Sequence, residues 1–144
     1  MIAAIGCAGA FTTGLAMGSP ACAAMPPVHA KWDLGPAEPQ ALSLVDRNKM
    51  LAVPLIAERG WSLRQWKCLD RLWTRESGWN HRARNRWSGA YGIPQALPGG
   101  KMRSAGIDWR TSATTQITWG LGYIRKRYGS PCAAWGHSQV AGWY

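Results

Sequence analysis

Apolar side chains recur at helical spacing through Leu63, Trp66, Leu69, Leu72 and Trp73, and a glycine stops the pattern at Gly78. This spacing predicts an amphipathic helix that ends there. Ser62, with Gln65 three positions later, forms a capping-box pattern at its start. At about 100° per residue, Glu76 in the last turn falls among Leu69, Leu72 and Trp73, while Arg64, Lys67, Arg71 and Arg75 fall on the other side. A carboxylate on a buried stripe loses hydration, and the C-terminal end of a helix is the negative end of its dipole. Both effects raise the pKa, toward the protonated state a general acid needs near neutral pH. For an isolated glutamate the competing reading is a structural ion pair, here with Arg75.

The remaining pattern is also helical. Residues 42–59 carry Met50, Leu51, Val53, Leu55 and Ile56 at helical spacing behind a possible cap at Ser43 or Asp46; Pro54 is expected to kink this helix or divide it in two. Residues 80–88 are polar and basic and should be exposed. Residues 89–100 hold four glycines and two prolines, which predicts an ordered loop or short strand of a kind that lets backbone approach a ligand. Asp108 or Ser112 can cap a helix over 113–127 with Ile117, Leu121, Ile124 and Tyr128 on one face and Gly129 as its stop. Its basic last turn, Arg125-Lys126-Arg127, suits the helix dipole. The closing segment 132–144 is short and aromatic. The fold class is mainly α, a single domain over 42–144.

Composition adds a leader. The first charged residue is Lys31, and the preceding 1–30 are rich in Ala, Gly, Ser, Thr and Pro, with small-residue patterns at Ala21-Cys22-Ala23 and Val28-His29-Ala30. This block reads as a secretion signal, with an uncleaved anchor or a disordered tail as alternatives, followed by a proline-rich linker over 31–41. Of the four cysteines, Cys7 and Cys22 would leave with the leader. Cys68 and Cys132 would then most simply pair in an exported domain, closing a loop of about 64 residues; two buried thiols are the cytosolic alternative. No cysteine pair has zinc-ligand spacing, so no metal site or cofactor is expected. The net charge of +10 suits an anionic cell envelope. Without a helix-turn-helix or finger pattern, and with no basic run longer than Arg125-Lys126-Arg127, no nucleic-acid partner is expected.

Three stretches carry a resemblance. The helix end Glu76-Ser77-Gly78, the loop Gly89-Ala90-Tyr91-Gly92-Ile93-Pro94-Gln95 and the helix Gln116-Ile117-Thr118-Trp119-Gly120-Leu121-Gly122-Tyr123-Ile124 resemble, in order, the successive motifs of the soluble lytic transglycosylase domain of the lysozyme-like superfamily. More narrowly, residues 60–144, with Ala134-Trp135-Gly136-His137 and the final Gly142-Trp143-Tyr144, are similar to small secreted transglycosylase-like proteins of actinobacteria. The resemblance implies a lysozyme-like fold in which Glu76 is the single catalytic acid/base. It implies that Ser77 holds that carboxylate, an ordinary helix-end hydroxyl bond to backbone being the alternative. Gly92 and Gln95 are implied to lie against the sugar, and Tyr123 to reach the acid or the substrate. Many relatives have Ala-Tyr-Asn where this chain has Ala134-Trp135-Gly136, and His137 is a candidate replacement for the missing contact. Trp79, Trp87, Tyr91 and Trp135 are candidates to stack on sugar faces.

Hydrolytic glycosidases usually employ a second carboxylate. After Glu76 the sequence has only Asp108, and Asp70 is turned about 120° from Glu76 on the same helix. A single acid fits a transglycosylase that cleaves the MurNAc-GlcNAc bond of peptidoglycan without water and leaves 1,6-anhydromuramoyl ends. The rivals are a lysozyme-type hydrolase using Asp108 and a non-catalytic wall-binding or growth-promoting module. The expected protein is a monomer acting at the cell envelope on peptidoglycan strands.

Overall fold

The computed structural model describes residues 41–144; the expected leader and nearly all of the linker lie outside the described residues. Helices α1 (Leu44–Ala57), α2 (Leu63–Ser77), α3 (Ala113–Tyr128) and α4 (Pro131–Ala141), with a 3₁₀ turn at Gly99–Ser104, make this part mainly helical.

Helix α1 starts where the Ser43 hydroxyl accepts the Asp46 backbone N–H at 3.1 Å and buries Asn48, Ala52 and Ile56, one residue per turn. Pro54 does not divide it. The proline lies in the last turn on the exposed side, where its missing N–H removes a single helical bond, and its carbonyl still receives Glu58 N at 2.9 Å.

Helix α2 inserts Leu69, Leu72 and Trp73 fully into the core, contributing roughly 1.5–3 kcal/mol for a large apolar side chain. Its expected capping box is not formed. Ser62 makes no side-chain cap bond, and the Gln65 Oε1 instead accepts Cys132 N, at the start of α4, at 2.8 Å. At the other end Gly78 takes φ +59°, a left-handed conformation that glycine adopts without strain, and donates to Thr74 O. Trp79 follows at φ +61°, rare for a bulky residue. It is held there by complete burial against Trp66 and Trp73, by its indole N–H donating to Asp70 at 2.9 Å, and by Asn48 donating to its carbonyl at 2.8 Å.

Helix α3 begins at Ser112, whose hydroxyl accepts Thr115 N, and buries Ile117, Leu121 and Ile124 as its spacing predicts. At Gly120 a Cβ would lie 2.7 Å from the Trp73 ring and 3.1 Å from Pro94. The missing side chain therefore lets α3 close on both α2 and the glycine-rich loop.

The closing segment is itself helical. Ser130 caps α4, Pro131 occupies its first turn, Ala134 packs into the core, and the Cys68–Cys132 disulfide ties it to α2. The loop 80–98 contributes no strand beyond two isolated bridges, Arg84 with Tyr91 and Tyr91 with Ala96. Among the described residues no helix is long and apolar enough to cross a membrane.

Candidate active site

Glu76 comes to the last turn of α2 half-buried, at the edge of a cavity of about 560 Å³. Gln95 of the glycine-rich loop, Asn85 and Ser88 of the basic loop, Arg75 of α2 and Trp143-Tyr144, beyond α4, line this cavity with Glu76. Burial lifts the Glu76 carboxyl above the usual carboxylate range, against a smaller opposing pull from the neighbouring Arg75 guanidinium. Arg75 falls on the opposite side of the helical wheel, yet its long side chain reaches back into the cavity wall and donates to Ser138 O at 3.0 Å.

Tyr144 stands beside Glu76 and was not legible as a site residue. Its hydroxyl accepts the Trp73 indole N–H at 2.8 Å and donates to Pro94 O at 3.0 Å, tying α2 to the loop. Burial above all, with a further contribution from the nearby Glu76 charge, raises its pKa well above the ordinary tyrosine value, so the hydroxyl stays a donor. Gln95 and Tyr144 also line a second, smaller hollow with Tyr123, Trp119 and Lys101. Those last three continue into a third hollow of about 600 Å³ with Lys126. The hollows adjoin through shared residues and form one groove across this face.

The loop floor is built by one side chain. Gln116, fully buried on α3, accepts Ile93 N at 2.9 Å through Oε1 and donates through Nε2 to His81 O at 2.9 Å and Trp109 O at 2.8 Å. Gly92, at φ +77°, lies so close that an added Cβ would come 2.3 Å from the Gln116 amide oxygen. Replacing Gln116 by Leu keeps the bulk but leaves one N–H and two carbonyls without this partner. The expected loss of stability is about 2–4 kcal/mol, read by urea unfolding; a loss under about 1 kcal/mol would show that the amide is not the tether.

The other residues singled out from the sequence divide. Tyr123 reaches the groove but one hollow away from Glu76, stacked on Trp119 at 5.3 Å with Tyr144 at 6.1 Å. Ser77 does not bond the Glu76 carboxylate: its hydroxyl donates to Ile93 O at 2.9 Å and lies 3.3 Å from Trp73 O, fastening the loop to the helix end. Gly92 is buried under Gln116 rather than facing the cavity. Tyr91 is turned away, its hydroxyl on Arg110 O at 2.8 Å and its ring against Trp109 in a separate hollow. Trp135 packs half-buried on the core, as Trp79 does fully. His137 also lies outside the cavity lining but buttresses it, its ring 4.7 Å from that of Trp143.

Elsewhere a hollow of about 280 Å³ between α1 and α2 is lined by Val53, Ile56, Trp61, Leu63 and Trp66 and contains no titratable group. Among the described residues no three His, Cys, Asp or Glu side chains come together to hold a metal ion. No family model, curated protein or solved structure matches the chain.

Proposed function

We propose that this protein is an exported, lysozyme-like lytic transglycosylase that cleaves the MurNAc-GlcNAc β-1,4 bond of peptidoglycan, with Glu76 as its single acid/base. The observation that carries the reading is that Glu76 is the one Asp or Glu side chain lining the groove among the described residues. The other two candidate acids are engaged elsewhere. Asp70 pairs with Lys49 at 2.7 Å and accepts the Trp79 indole N–H, and Asp108 accepts the Thr115 hydroxyl at 2.7 Å, below the first turn of α3. Inverting or retaining hydrolysis would call for a second carboxylate across the scissile bond, so its absence from the groove favours chemistry that needs one.

In this reading the protonated Glu76 gives its proton to the glycosidic oxygen as the bond from that oxygen to muramoyl C1 breaks. The muramoyl C6 hydroxyl then attacks C1, and its proton returns to the Glu76 carboxylate. Oxygen replaces oxygen at C1, the 1,6-anhydro ring closes, and the acid is regenerated without water. A partly buried carboxyl with a raised pKa suits the first step. Gln95, whose Nε2 is occupied by Gly92 O at 2.9 Å, keeps its amide oxygen for an N-acetyl N–H. Arg75 and the Lys101–Lys126 end of the groove suit a strand bearing lactyl and peptide carboxylates. The Cys68–Cys132 bridge is in keeping with export.

Mass spectrometry of soluble products from purified peptidoglycan tests the reading: anhydromuramoyl ends are expected. Reducing muramic acid ends would make the protein a hydrolase, and no product at all would leave a binding module. In the same assay Asp108→Asn should keep at least half of the activity while lowering stability by about 0.5–1.5 kcal/mol through the weakened Thr115 bond. Complete loss of activity in that variant would instead identify Asp108 as a catalytic base.

A further inference from the structure

Trp87 is 99% exposed, whereas no other described tryptophan exceeds the 53% of Trp143. It sits at the tip of the basic loop, directly after Arg86 and three positions after Arg84, both exposed. Neither arginine has an acidic partner, since Lys49–Asp70 is the only ion pair among the described residues. The tip is firmly built. Asn85 Oδ1 accepts both Trp87 N at 2.9 Å and Ser88 N at 3.0 Å. Asn85 N also donates to Ala90 O, and Gly89 N to Asn85 O, each at 2.9 Å. The indole is thus presented on a closed loop, and ordering that loop on binding would cost little.

The flanking residues Asn85 and Ser88 line the Glu76 cavity, so the tip continues the cavity outward. We propose that Trp87 is a sugar-stacking platform for the same glycan strand where it leaves the groove, with the adjacent Arg86 meeting carboxylates carried by that strand; Arg84 lines the separate Tyr91–Trp109 hollow. This rests on the peptidoglycan reading above. A flat apolar ring suits the apolar face of a pyranose, and an aromatic anchor beside a guanidinium group suits a polymer that alternates sugar faces with anionic substituents. A lipid surface is the poorer occupant. Trp87 is bordered by Asn85, Arg86 and Ser88, with no apolar neighbour in the loop tip to enlarge the buried area that interfacial binding requires. The structure also narrows the aromatic candidates: Trp79 is core, Tyr91 is pinned to Arg110 O and Trp135 packs on the core.

The test is co-sedimentation with insoluble peptidoglycan in a Glu76→Gln background, so that the polymer survives. Adding Trp87→Ala should raise the polymer concentration for half-saturation about tenfold, as truncating an aromatic anchor does. Trp87→Tyr should retain most of the affinity and Trp87→Leu should not. The control Val140→Ala, at a position 92% exposed on α4, should leave binding unchanged. Binding by Trp87→Ala within twofold of its parent, or equal binding by the Leu and Tyr variants, overturns the proposal. So does a result in which Trp87→Ala loses affinity only for phosphatidylglycerol vesicles, which would assign the loop to a lipid surface. If the protein with Glu76 intact releases product while Trp87→Ala binds normally, the Trp87 platform alone falls. If it neither binds nor cleaves peptidoglycan, the underlying functional reading falls with it.

Discussion

Glu76→Gln is expected to lower release of anhydromuramoyl product by about 10²–10⁴-fold, the usual contribution of a positioned general acid, while making the folded protein more stable at neutral pH. The two effects share a cause. Burial raises the carboxyl pKa above its ordinary value, so between the unfolded and folded pKa values the native state binds more protons than the unfolded one. Stability therefore falls as pH rises through that interval and stays lower above it. Glutamine keeps the shape and removes the desolvated charge, so its gain over the native protein should appear above that interval and vanish below it. Thermal unfolding of both proteins between acid and neutral pH measures this. A variant that is inactive but no more stable at neutral pH would mean that the carboxyl is not strained by its surroundings. Activity should likewise fall as pH rises past the raised pKa, because the proton donor is then lost.

Removing the Cys68–Cys132 bridge by paired serine substitution should cost about 4 kcal/mol in the chain-entropy model. For a domain of this size that is a drop in melting temperature on the order of 20 °C. The bridged residues are 64 positions apart and join α2 to the start of α4. A change of only a few degrees would show that the packing of α4 against α2 holds without it. Because Ser138 of α4 anchors Arg75 in the cavity wall, substrate affinity should weaken as well, before global unfolding.

Local order was legible wherever the signal was local. The end of α2 and its Glu76 follow from an apolar period closed by Gly78, and α3 from Ser112, its Ile117-Leu121-Ile124 face and Gly129. The local pattern misleads, or leaves two outcomes open, where a partner distant in sequence competes. Gln65 fits a capping box but is used by Cys132 N, 67 positions away. Ser77 could have held the carboxylate but bonds Ile93 O, 16 positions away. Helix α4 has a weak period, with Gly136 and small alanines, and owes its place to the cap at Ser130, the disulfide and contact with α2. The roles of Tyr144, whose partners lie 50 and 71 positions back, and of Gln116, which gathers His81 and Ile93 from 35 and 23 positions back, follow only once the chain is folded. The resemblance offered several aromatic candidates for stacking without ranking them, because burial separates Trp79 from Trp87 only in the folded chain.

The three bonds of Gln116 also divide the labour of adaptation. The backbone at His81, Ile93 and Trp109 is fixed from behind, by a residue outside the cavity lining, while Asn85 and Gln95 at the front brace only the turns next to them. Leu97 on the cavity rim, apolar and half exposed, can therefore change without unseating that backbone, whereas Asn85 and Ser88 hold bonds of their own turn. A change at Gln116 would displace every contact at once, so new specificity in this scaffold should arise by substitution at the rim and almost never at the anchor.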